Sequence, residues 1–259
     1  MADKSKQYYE ARGFSIYYFA NVVFNVVKDA AAYLRGIEEI LGDMQVLNLM
    51  RPFHKFSNLY HFLEAIIRQI IHEEMESWEE HEPRFLITFL ETYKVPFNAE
   101  NLADEDAFYT FVSESEEYDT AMDELVDEVF HVFFNDVRFL QSFNQLCAKY
   151  IDGAGMTQAG TLKRVPIPAW ARRAIFHRDK GECWECKRSL AMLINRPETE
   201  CYDHIVPFAR FGANVVTNLQ LLCEPCNLRK SANEQPVSSL YPRAFSVRQC
   251  TTSQSLEVA

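Results

Sequence analysis

Between Cys183 and Lys230 the chain reads CWEC, then YDHIVP, then NLQLLCEPCNLRK. These are residue types for metal binding and proton transfer. Two C-x-x-C turns, Cys183 with Cys186 and Cys223 with Cys226, each set two thiolates on one side of a tetrahedral site, and zinc takes four such ligands. The 36 residues between the turns leave room for a β-hairpin. Glu182, Glu185, Lys187 and Glu224 make both turns polar, which argues against four unligated core thiols. A four-thiolate site has no open position, so this zinc is expected to be structural rather than catalytic. Inside the frame stands Asp203-His204. The imidazole of His204 has the pKa range of a general base near neutral pH. Asp203 is a hard oxygen ligand suited to Mg²⁺ or Mn²⁺, expected on the opposite side of its strand from His204 unless a bulge intervenes. Asn227 could offer its carbonyl oxygen to the same ion, which would neutralise negative charge at a reacting centre. Taken singly, each residue has a structural reading: an Asp-His pair closing a strand, Asn218 capping a turn, Asn227 as an ordinary helix N-terminal residue. Their joint occurrence within four cysteines favours chemistry.

The elements that must position these groups are legible around them. Thr199–Ile205 has strand character and ends at Pro207, Asn218–Leu222 reads as the returning strand, and Pro225–Ser231 reads as a short helix entered through the second cysteine turn. Pro166 and Pro168 restrict the backbone ahead of a short basic helix, Ala169–Arg178. This ββα arrangement resembles the HNH endonuclease family, in its zinc-stabilised branch. The matching residues are Asp203-His204-Ile205-Val206-Pro207, Asn218 to Cys223 and Cys226-Asn227-Leu228-Arg229-Lys230, with a similar lead-in at Pro168–Asp179 carrying Arg172, Arg173 and Arg178. The resemblance spans roughly residues 163 to 235 and does not reach the first half of the chain. It implies that His204 is the base, that Asp203 and Asn227 hold a catalytic Mg²⁺ or Mn²⁺, and that Asn218 orients His204 or its loop. The third motif position, often histidine in that family, is Asn227 here, giving an HNN arrangement. Arg210, Arg229 and Lys230 are candidate phosphate contacts, with ordinary surface charge as the alternative.

The fold expected is mainly α: an N-terminal helical bundle followed by the zinc-stabilised ββα domain. Apolar stripes at i, i+3, i+4 spacing run through Phe19–Leu34, Leu59–Ile71, Phe85–Tyr93 and Met122–Phe133, and each must be buried against another. The boundaries are an acidic helical domain over 1–152, a small, polar linker over 153–165, the nuclease domain over 166–235 and a C-terminal tail over 236–259. Cys201 reads as a small core residue, and Cys147 and Cys250 lack metal-site partners. Glu128-Val-Phe-His131 has E-x-x-H spacing, but a di-iron bundle needs a second such pair and the helical half holds none.

Charge separates the halves. Residues 1–152 carry 28 acidic and 12 basic side chains, a net of −16, whereas residues 153–259 carry 9 and 14, a net of +5. The basic half can approach a polyanion and the acidic half would be repelled by one. No glycine-rich phosphate loop is present, no apolar run reaches the length of a membrane span, and the start of the chain lacks the apolar core of a secretion signal. The expectation is a cytoplasmic, metal-dependent endonuclease acting on nucleic acid, DNA in preference to RNA. Its acidic helices would bind a protein partner, self-associate or occlude the basic face, as in an antiviral defence effector. Two alternatives stand beside it: a zinc-stabilised binding module that has lost catalysis, and a restriction-type enzyme whose helices recognise the target.

Overall fold

The computed structural model describes residues 14–29, 40–41, 51–76, 84–150, 164–191, 200–231 and 233. Most of the expected linker, the C-terminal tail and Cys250 lie outside these residues. The first half is helical: α1 (Ile16–Lys28), α2 (Asn58–Glu76), α3 (Arg84–Thr92), α4 (Glu105–Glu114), α5 (Glu116–Phe134) and α6 (Val137–Lys149). Local chemistry starts several of them. The Asp104 carboxylate accepts from the Ala107 amide at 2.8 Å, the Ser115 hydroxyl from Tyr118 at 3.1 Å, and Asp136 from Arg138 and Phe139. Each acceptor satisfies amides that the first helical turn leaves unpaired.

Burial then selects one face of each helix. On α5, Tyr118, Met122, Leu125, Val126, Val129 and Phe133 turn inward, while its acidic residues face out. Helix α5 packs against α1, α2 and α6, and α2 against α1 and α3. Phe19, Phe62, Phe89, Phe108 and Phe143 are fully buried at the centre. The acidic face is thus the solvated side of a bundle whose stability comes from aromatic and aliphatic burial.

The second half holds α7 (Ala169–Arg178), β1 (Glu200–His204), β2 (Leu219–Cys223) and α8 (Glu224–Lys230). Strands β1 and β2 pair antiparallel, with Glu200 opposite Cys223 and His204 opposite Leu219. Helix α8 lies on both strands and α7 on β2. The fold is therefore a mainly helical N-terminal region followed by a two-stranded hairpin and a short helix, a ββα unit. The return strand is displaced by one residue from its expected start, because Asn218 closes a 3₁₀ turn at Val216–Asn218 before the strand begins.

The two halves touch through buried groups. Ile205, next to His204, belongs to the helical core, while Phe53 from the helical half belongs to the core around the cysteines, and Phe134 packs on that core's edge. The Asn144 amide, 3% exposed on α6, donates to the carbonyls of Leu140 and Thr217. The Phe53 amide donates to the Asn214 carbonyl at 2.8 Å.

Candidate active site

The four thiol sulfurs of Cys183, Cys186, Cys223 and Cys226 lie within 4.8 Å of one another, and the Cys186 and Cys223 sulfurs are 3.7 Å apart. A tetrahedron with zinc–sulfur bonds of about 2.3 Å has an edge of about 3.8 Å, so the cluster has the size of a structural zinc site. The first turn closes through Lys187 in the left-handed region (φ 59°), its amide donating to the Cys183 carbonyl. Burial resists ionisation of Cys183, but backbone amides of Cys186, Cys223 and Glu185 outweigh it and hold the thiol below its ordinary range. The second turn is itself the start of α8, with Cys223 as its N-cap residue. Arg229 donates to the Cys226 sulfur at 3.2 Å and to Glu185 at 2.7 Å, tying the two turns together.

A buried ion pair fixes β2 from the other side. Asp179 bonds Arg178 at 2.7 and 3.0 Å and accepts the Leu221 amide at 2.8 Å. Arg178 also donates to the Leu219 carbonyl and lies over the Phe134 ring. In the sequence Asp179 is legible only as the last residue of the Pro168–Asp179 lead-in, with no role assigned to it.

His204 ends β1 and is 4% exposed. Its ring lies 4.2 Å from that of Phe208, and its Nε2 is buried with no hydrogen-bond partner among the described residues. Burial is the main reason that its pKa falls from 6.5 to about 4; the positive charges of Arg164 and Lys230 add to the fall, and Asp203 and Asn214 oppose it. The ring is therefore neutral at physiological pH and has a lone pair to offer.

The loop after His204 is held by Asn218, which is fully buried. Its side-chain oxygen accepts from the Val206 amide at 2.9 Å, and its nitrogen donates to the carbonyls of Val206 and Ala213, each at 3.0 Å. Its bonds go to this loop rather than to the imidazole. Gly212 makes the turn possible: a Cβ there would stand 1.7 Å from the Val206 carbonyl oxygen and 2.8 Å from the Asn218 amide nitrogen. A glycine after the unremarkable Ala-Arg-Phe run carried no signal of this closeness.

Asp203, His204 and Asn227 line one cleft of about 800 Å³, together with Arg164, Arg172 and Tyr202. The strand alternation expected to separate Asp203 from His204 does not keep them out of a common cleft. Lys230, expected at the nucleic-acid surface, is instead turned inward and 2% exposed. Its ammonium donates to the Asp203 carboxylate at 2.6 Å and to the His204 carbonyl at 2.7 Å, two acceptors that repay its desolvation. Arg210 is exposed, whereas Arg229 is exposed but engaged with Glu185.

A hairpin and a short helix closed by four cysteines, with an acid, an imidazole and an amide around one cleft, define a ββα domain framed by a cluster that could hold a zinc ion. Residues 183–233 match the model of the family described as HNH endonuclease, and the chain carries an HNH endonuclease domain there, built around the four-cysteine cluster. No curated protein and no solved structure matches the chain. Among the described residues, no helix is long and apolar enough to cross a membrane.

Proposed function

We propose that the chain is a metal-dependent endonuclease that hydrolyses phosphodiester bonds of nucleic acid, DNA in preference to RNA. One observation carries the reading: a neutral, buried histidine with an unpartnered Nε2 shares a cleft with a carboxylate and an amide oxygen donor. His204 accepts the proton of a water whose oxygen attacks phosphorus. The phosphorus–oxygen bond to the leaving group breaks, and the departing oxygen is reprotonated from solvent. Asp203 and Asn227 are the residues that would hold Mg²⁺ or Mn²⁺. One Asp203 oxygen is engaged by Lys230, and a carboxylate retains further lone pairs for an ion. Such an ion, when bound, supplies charge neutralisation to the phosphate and the leaving oxygen. Asn218 positions the loop, and the four-cysteine zinc supports the hairpin from which His204 and Asp203 project.

The acidic helical region, at −16, is electrostatically unsuited to DNA and is read as a surface for a protein partner or as a shield for the basic half. The test is plasmid nicking by the full chain with Mg²⁺ or Mn²⁺, alongside His204→Ala. Metal-dependent nicking that His204→Ala abolishes supports the proposal. DNA binding by the wild type with no nicking under either metal would favour a binding module without catalysis.

A further inference from the structure

A second cleft of about 670 Å³ adjoins the catalytic one, and the two share Ile167, Arg172 and Tyr202 as walls. Its other side is one face of α7. Ala169, Arg172, Arg173, Phe176 and His177 recur at helical spacing and all line it. Ala171 and Ile175 point the opposite way into the core. The arginines of this helix have different fates. Arg178 is spent on Asp179 inside the protein, with its side chain 1% exposed. Arg172 and Arg173 are exposed, and neither has an ion-pair partner among the described residues. Arg164 stands in the inner cleft over the ring of Phe208, which itself lies against His204. Glu200 is the acidic residue of the outer cleft, and it is engaged by the Tyr202 hydroxyl at 2.9 Å.

We propose that Arg164, Arg172 and Arg173 form a track for the nucleic-acid backbone, leading from the scissile phosphate at His204 along α7. The inference rests on the nuclease reading and assigns the substrate contacts to that helix face. Arg172 belongs to both clefts and sits at the junction, so it meets the phosphate next to the one being cut. Arg173 meets the following one, and His177, one turn further on, closes the outer end. Guanidinium groups suit this task because their fork matches phosphate oxygens in pairs. The aromatic walls, Tyr202 and Phe176, give bases or sugars an apolar surface between phosphate contacts.

The test is equilibrium binding of the full chain in a His204→Ala background, which holds the substrate intact. The probes are a labelled 20-mer DNA duplex, its single strand, and an RNA of the same sequence, each titrated at several salt concentrations. Arg172→Ala/Arg173→Ala should weaken binding roughly tenfold at about 0.1 M salt and lower the slope of log affinity against log salt by about 2, one unit per lost phosphate contact. Arg172→Lys/Arg173→Lys should restore most of the slope. A Lys55→Ala/Lys94→Ala pair, which removes two exposed cations from the helical half, should leave the slope unchanged. The probe with the largest loss identifies the nucleic acid that the track fits. Unchanged affinity and slope in the arginine double variant, with its zinc content intact, would overturn the track and leave the nuclease reading standing. An equal loss in the lysine pair would overturn it too. Failure of the parent protein to bind any probe would remove both readings.

Discussion

Burial is what fits His204 to the proposed role of base. An exposed imidazole would be partly protonated near pH 6.5, whereas this one keeps its lone pair down to about pH 4. The acidic limb of the nicking rate should therefore lie well below pH 6.5, which a pH–rate profile under single-turnover conditions would check. The same shift links stability to pH. Above pH 6.5 the ring is neutral in both the folded and unfolded chain, so nothing is lost. Between 6.5 and about 4 only the unfolded chain takes up the proton, and stability falls with falling pH by up to about 3 kcal/mol. His204→Ala should flatten that part of a urea-denaturation pH series while cutting nicking by roughly 10² to 10⁴. At Gly212 a single methyl group collides with backbone rather than with a flexible side chain. Gly212→Ala should thus displace the Asn218-held loop and abolish nicking, with the four-cysteine zinc still bound by metal analysis; full activity would show that the loop does not position the site.

Single elements were readable where local chemistry made them. Helix α7 occupies its expected span because two prolines precede it, and the hairpin falls within a residue or two of the strands expected ahead of Pro207 and up to the second cysteine turn. The cysteine cluster was readable because metal ligands recur at fixed spacing. What stayed hidden depends on distant partners. Lys230 looks like a surface cation until Asp203 and the His204 carbonyl are seen to enclose it. Asn144 is an ordinary polar residue in α6 until its amide is found bridging to Thr217, immediately before the Asn218 hub. Neither relation leaves a periodic signal, since 26 to 73 residues separate the partners. The Asn144 bridge makes α6 a support for the Asn218-held loop after His204. Asn144→Ala should leave a buried carbonyl with one donor fewer and cost about 1–3 kcal/mol in denaturant unfolding. Its effect on nicking should fall on the turnover rate rather than on nucleic-acid affinity, because the loop and not the arginine-lined helix is disturbed.

At the scale of the molecule, the four-cysteine frame and the helical bundle each have an apolar centre, and they exchange residues across their border. The five fully buried phenylalanines of the bundle are remote in sequence from the cysteines, and their packing needs no metal. The ββα unit is different: a seven-residue helix on two five-residue strands buries too little to fold alone, and structural zinc contributes on the order of 10 kcal/mol to such units. Removing the metal with a chelator, or replacing Cys223 with Ser, should therefore unfold the hairpin first. The border residues decide what the bundle feels. Ile205 leaves its core, Phe53 loses its pocket and Asn144 loses Thr217, so the bundle should remain helical but melt at a lower temperature. Circular dichroism at 222 nm, followed with temperature before and after chelation, would measure both effects. Retention of most of the helical signal with a lowered Tm is the outcome expected of two units sharing a border. Simultaneous loss of the whole signal on chelation would mean that the exchanged residues bind the halves into one cooperative unit, and the division between them near residue 152 would have to be given up.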